Sequence, residues 1–145
     1  MPSSAWGAYE VNVATEKDRE VEIIRRVLAL GIAFLSEWDA LEFLYRHPSS
    51  LCSPADIARL IGRDKVEIGE ALSSLENLGL IERSRVSQGI RFYRVAEPAD
   101  AARRSCLVEL MSMAHNRPGR LVLLKHLKYP RHELRRRRDG GIRLA

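Results

Sequence analysis

The chain has 145 residues, 46% of them hydrophobic, and a net charge of +5. That length and apolar content suit one compact unit with its own core and exclude a wholly disordered chain. No apolar run approaches the roughly 20 residues a membrane-spanning helix needs, and the start lacks a basic segment followed by an apolar one, so the expectation is a cytoplasmic protein without a membrane partner.

Taken in chain order, the first predicted element runs from Glu16 to Leu35. There Val21, Ile24, Val27, Leu28, Leu30, Ile32, Phe34 and Leu35 fit a helix with a broad buried face, and Gly31 is a point where it can bend or be interrupted. Next, Ser36-Glu37-Trp38-Asp39 has the form of a capping box with Asp in place of the usual Glu. Trp38, Leu41, Leu44 and Tyr45 then make an apolar stripe that ends at His47-Pro48. Ser53 can cap a short helix that opens at Pro54, lines one face with Ile57, Ala58, Leu60 and Ile61, and stops at Gly62. Asp64 can cap the following helix, in which Ile68, Ala71, Leu72, Leu75 and Leu78 recur at helical spacing until Gly79.

After Gly79 the period changes. Leu80 to Ser84 is rich in strand formers, Ile90, Phe92 and Val95 alternate roughly with Arg91, Tyr93 and Arg94, and Ser87-Gln88-Gly89 suits the turn between them. Such a hairpin cannot bury both faces by itself, so its apolar side is expected to cover the end of the helical layer. Pro98 can then open a helix in which Ala102, Cys106, Leu107, Leu110, Met113 and Ala114 repeat near heptad spacing until Arg117-Pro118-Gly119 breaks it. A shorter helix follows at about Leu121 to Leu127. The predicted fold is therefore mainly α with a small β-hairpin. A winged helix-turn-helix over 36–97 is flanked by an N-terminal arm and helix (1–35), C-terminal helices (98–128) and a basic tail (129–145).

Residues 36–97, about two-fifths of the chain, resemble the winged-helix domain of bacterial and archaeal transcription regulators, with the MarR and ArsR groups nearest. The resemblance rests on Ser53-Pro54-Ala55-Asp56-Ile57-Ala58, on Ala71-Leu72-Ser73-Ser74-Leu75-Glu76 and on Gly79-Leu80-Ile81-Glu82-Arg83. It implies a regulator that binds double-stranded DNA, with no enzymatic activity and no cofactor. It also implies a homodimer built by the helices outside the winged helix; the alternative is that those helices only cover the domain's own core. The second helix of the pair would enter the major groove with residues near its N-terminus while the wing touches the backbone.

On that reading the outward positions of the recognition helix are Lys65, Glu67, Gly69, Glu70, Ser73, Ser74 and Asn77, of which Lys65, Glu67, Glu70, Ser73 and Ser74 face the groove. Arg83, Arg85, Arg91 and Arg94 gather on or beside the wing, where they suit phosphate contact or, with nothing bound, a solvated face. In MarR-like sequences the recognition face usually carries Ser, Thr and Arg, so Glu70 and Ser74 depart from the pattern at positions where basic side chains are common. A glutamate can accept from cytosine's exocyclic amine, but it also repels the DNA backbone. The acidic face therefore keeps a second reading open: a winged helix that binds a protein within a transcription or nucleoprotein assembly.

Charge is unevenly shared. Residues 117–145 hold ten Lys or Arg against two acids, a balance of +8, and residues 1–116 hold fourteen against seventeen, a balance of −3. The run Arg135-Arg136-Arg137-Arg138 is a candidate nucleic-acid contact or a solubilising tail. His47, His115, His126 and His132 are scattered, with no metal-ligand spacing, so a metal site is not expected. Cys52 and Cys106 form neither a disulfide framework nor a ligand pair, and buried reduced thiols are expected.

Overall fold

The computed structural model describes residues 3–48, 52–84 and 92–129, with only the backbone given for 3–15. Six helices and a two-stranded antiparallel sheet follow in the order α1 (Ser3–Leu30), α2 (Leu35–Arg46), α3 (Pro54–Ile61), α4 (Lys65–Asn77), β1 (Ile81–Arg83), β2 (Tyr93–Val95), α5 (Ala101–Ala114) and α6 (Arg117–His126).

The helix ends follow from local chemistry. Gly31 takes φ +87°, a conformation that costs a side-chain-bearing residue strain, and it ends α1 there. The predicted capping box of α2 is displaced: Glu37, not Ser36, supplies the cap, its Oε1 accepting from the amides of Ala33 (2.9 Å) and Phe34 (2.8 Å), while Ser36 is buried within the first turn. Helix α3 has the expected cap. Ser53 Oγ accepts from Asp56 N at 3.2 Å, and the carboxyl is held below its ordinary pKa first by the Ser53 hydroxyl, which donates to Asp56 Oδ2 at 2.9 Å, and then by Ser53 N, which donates to the same oxygen at 3.2 Å. Asp64 caps α4 through Val66 N at 3.1 Å.

At the C-terminal side two expectations are corrected. Helix α5 begins at Ala101, capped by Asp100 through Ala102 N at 2.9 Å, rather than at Pro98. Arg117-Pro118-Gly119 does not end a helix but forms the first turn of α6, because Asn116 Oδ1 accepts from Gly119 N at 2.8 Å and Pro118 occupies a position whose amide needs no helical acceptor.

Ile81 pairs with Val95, Glu82 with Arg94 and Arg83 with Tyr93, and Cys52 adds an isolated bridge to Tyr93. The predicted turn at Ser87-Gln88-Gly89, with Ile90, lies outside the described residues. Trp38, Leu41 and Leu44 of α2, Ile57 of α3, Ile68, Leu72 and Leu75 of α4, and Leu80 and Ile81 form a core that continues without a break into Ile23, Val27 and Leu30 of α1, Leu107 and Leu110 of α5, and Leu123 of α6. Leu60, expected on the buried face of α3, is 59% exposed. The end of α6 is clipped to the α1–α2 junction by Leu35 N to Lys128 O (2.9 Å) and Lys128 N to Ala33 O (3.0 Å).

Candidate nucleic-acid interface

Helix α4 packs its Ile68–Ala71–Leu72–Leu75 side on α2 and α3 and leaves the opposite side uncovered. Lys65, Glu70, Ser73 and Asn77 are exposed on it, as the sequence predicts. Glu67 and Ser74, expected to face outward with them, are turned toward the body of the protein. Glu67 is 4% exposed and its Oε1 accepts from Arg63 Nη1 at 2.5 Å; Ser74 Oγ donates to Glu37 Oε2, the same carboxylate that caps α2. A neighbour from outside α4 decides the direction of each: Arg63 stands four residues before Glu67, a spacing visible in the sequence, whereas Glu37 comes from α2 and helical spacing carries no sign of it.

Arg63, in the turn between α3 and α4, is the hub of this arrangement. Its Nε and Nη2 donate to Asp39 Oδ2 at 3.0 and 2.7 Å while Nη1 holds Glu67. Arg120 of α6 donates to the other Asp39 oxygen at 2.7 Å. The first turn of α4 is thus joined through two arginines and one aspartate to a flanking helix. The electrostatic consequence is direct: the negative charge of Glu67 is neutralised inside the protein, so the exposed start of α4 is less acidic than its sequence implies.

Val66 is the residue that sequence reasoning missed. It lies in the first turn of α4, 63% exposed, and the signal was available: it is the apolar residue that stands off the buried stripe.

The wing is described at its base only. Arg83 Nε donates to Glu76 Oε2 at 2.6 Å and Arg94 Nε to Glu82 Oε1 at 2.5 Å across the sheet, so each of these cations has an acidic partner. Arg85 and Arg91, and the tail residues Arg135, Arg136, Arg137 and Arg138, lie outside the described residues.

Elsewhere burial sets the chemistry. Desolvation raises the thiol pKa of both Cys52 and Cys106, the opposite of what a reactive thiolate requires. Among the described residues no cluster of His, Cys, Asp or Glu is arranged to hold a metal ion, and no helix is long and apolar enough to cross a membrane.

Glu42 is also pushed up, mainly by burial, although Arg46 Nη2 lies 3.0 Å from its Oε1 and opposes the shift. A carboxyl whose folded pKa is raised costs stability above that pKa and ceases to do so once protonated. Glu42→Gln is therefore expected to be more stable than the parent at neutral pH. That difference should shrink to nothing as acid protonates Glu42, which paired thermal melts at neutral and acidic pH will read.

Helix, tight turn, uncovered second helix and antiparallel wing, in this order, define a winged helix-turn-helix. A model of the MarR family matches residues 30–89, from the end of α1 into the hairpin. No curated protein matches the sequence. Among solved structures, a point variant of Staphylococcus aureus MepR bound to an oligodeoxyribonucleotide is similar at a TM-score of 0.52 and 15% identity, over 94% of each chain. MepR, described as a transcription regulator of the multidrug efflux pump MepA, is similar at 0.51 and 14% identity, again over 94% of each chain. MepR bound to ethidium bromide gives 0.52 and 15%, over 94% of this chain and 92% of that one. At such identities the likeness concerns the fold alone: the chain carries a MarR-like winged helix-turn-helix, and its flanking helices follow the fold of the MepR structures.

Proposed function

We propose that the protein is a DNA-binding transcription regulator acting as a homodimer in the cytoplasm, with α4 in the major groove and the wing on the backbone. The observation that carries this reading is the uncovered face of α4, which starts at a capped N-terminus beside Lys65 and is covered by no flanking helix. Lys65, Glu70 and Ser73 are the groove-facing residues on this reading. Glu67 and Ser74 hold α4 in place instead. Arg85 and Arg91 touch phosphates, Arg83 and Arg94 steady the base of the wing, and Arg135 to Arg138 add nonspecific attraction.

Residues 1–35 and 98–128 supply the dimer contacts in this reading. Val21 and Leu28 of α1, Val108 of α5 and Leu121 of α6 stay exposed although their helices also feed the shared core. An apolar cavity of about 450 Å³ between α1 and α6, lined by Val27, Leu28, Ile32, Leu123 and Leu127 among others, adjoins the exposed Leu28. A twofold partner seated there would bury both. The protein-binding alternative loses one of the two glutamates it rests on, since Glu67 is buried and paired while Glu70 stays exposed.

The test is fluorescence anisotropy of labelled duplex DNA over a range of salt concentrations. It compares the full chain with one ending at Tyr129, since a shorter cut would remove the buried Leu123 and Leu127 of the core. Sequence preference should survive removal of the tail, and Arg85→Ala or Arg91→Ala should each lower the salt slope by about 1. Binding that vanishes with the tail, or that shows no sequence preference, would overturn the assignment.

A further inference from the structure

Gly69 of α4 has no structural reason to be glycine. It is not among the glycines of positive φ, and a Cβ built on it meets nothing within 4 Å, so neither backbone conformation nor packing requires the missing side chain. Glycine in the interior of a helix weakens that helix relative to alanine. Open space where a methyl group would fit without penalty points to something outside the chain that comes close to the helix backbone there.

Around this bare spot the exposed face is composed in a particular way. Val66 and Ser73 lie at −3 and +4 from Gly69 and so share its face of the helix, and Glu70, four residues after Val66, borders it. Val66, 63% exposed, is a β-branched apolar side chain held in water, on a helix whose buried stripe runs along the other side. Its place is fixed from behind: its amide donates to Asp64 at 3.1 Å, and Glu67, the next residue, is tied to Arg63.

We propose that Val66 and Gly69 form the base-reading notch of this helix, with Val66 packed on the C5-methyl of a thymine and Gly69 admitting the neighbouring base edge against the helix backbone. This rests on the proposed function, and it names what is read. The major groove offers one apolar group for recognition, the thymine methyl, while the remaining signals are hydrogen-bond donors and acceptors. Glu70 beside the notch accepts from the amine of an adjacent cytosine and discriminates against bases that present an acceptor at that place. Lys65 at the edge takes a phosphate, so the face reads by shape and methyl contact more than by charge.

The experiment begins with repeated selection from a randomised duplex pool using the full chain. The selected duplex is then titrated by anisotropy with the parent, Val66→Ala and Gly69→Ala, and again with each thymine replaced singly by deoxyuridine, which removes only the methyl. In the parent one deoxyuridine position per half-site should weaken binding several-fold, and Val66→Ala should bind the thymine and uracil duplexes alike. Gly69→Ala should raise the thermal midpoint of the free protein and at the same time weaken the selected duplex several-fold, leaving a random duplex unaffected. If both variants bind the selected duplex as the parent does, the notch is wrong and the DNA reading stands. If no duplex is enriched at all, both fall.

Discussion

Replacing Arg63 with alanine is expected to destabilise the protein by about 3–5 kcal/mol, the range for removing one partner of a buried ion pair and leaving the other charge behind. The geometry puts it in that range. The Arg63 side chain is 14% exposed, Asp39 13% and Glu67 5%, and one guanidinium makes a fork to Asp39 and a third bond to Glu67. With the arginine gone, Arg120 still holds one oxygen of Asp39, but Glu67 loses its closest cation inside the protein. The same argument predicts that neutralising the three together, as Asp39→Asn, Arg63→Met and Glu67→Gln, recovers most of the loss, because the charge then left without its partner, Arg120, has a side chain 44% exposed and is solvated. Denaturant unfolding of the single and triple variants decides it. A loss for Arg63→Ala within 1 kcal/mol would show that water screens the cluster, and the hub would then have little structural weight.

Gly119→Ala is expected to be almost as damaging, and for a purely steric reason. A Cβ at residue 119 would stand 2.5 Å from Ala114 Cα and 2.6 Å from Met113 O, both backbone atoms, which cannot swing aside as a side chain does. Room for it comes only from opening the elbow between α5 and α6, which strips packing from Leu123 and Ala114. Overfilling a packed core in this way costs typically 1–3 kcal/mol, and a backbone obstacle places the variant at the top of that range. The same substitution at residue 69 meets open space and should have the opposite sign. Thermal melts of the two variants side by side test the pair, and a Gly119→Ala protein as stable as its parent would refute the steric account.

The contrast between these glycines also shows how far the sequence carries. Gly62 and Gly79 were readable as stops because each closes an apolar period, and both take a left-handed conformation; Gly31 was readable only as a bend or interruption of a helix expected to run to Leu35, yet its left-handed φ ends α1 at Leu30. Ser53 and Asp64 were readable as caps, since a short polar side chain immediately before an apolar helical stripe has few other uses. Pro118 was misread because a proline marks either a break or a first turn, and what separates the two is the Asn116 cap one residue before the helix. The candidate site was half legible. Helical spacing fixes which residues share a face, but whether a polar residue near its margin faces outward depends on which partner claims it. Arg63 claims Glu67, and Glu37, 37 residues earlier, claims Ser74. Val66 was overlooked because an apolar residue is read as core unless its phase is checked against its neighbours.

One further detail bears on how such a protein can respond to anything. Arg103 of α5 sends a single Nη2 to two helix ends at once, donating to Leu30 O of α1 at 3.2 Å and to Leu78 O at the end of α4 at 2.5 Å. Two negative dipole ends are thereby fastened to one cation. With Arg63 gripping its first turn and Arg103 its last, α4 has no hinge of its own. A movement of α4 therefore has to carry the winged helix with it as a solid piece, and a contact that only reshapes the exposed face of α4 would find nothing there to move.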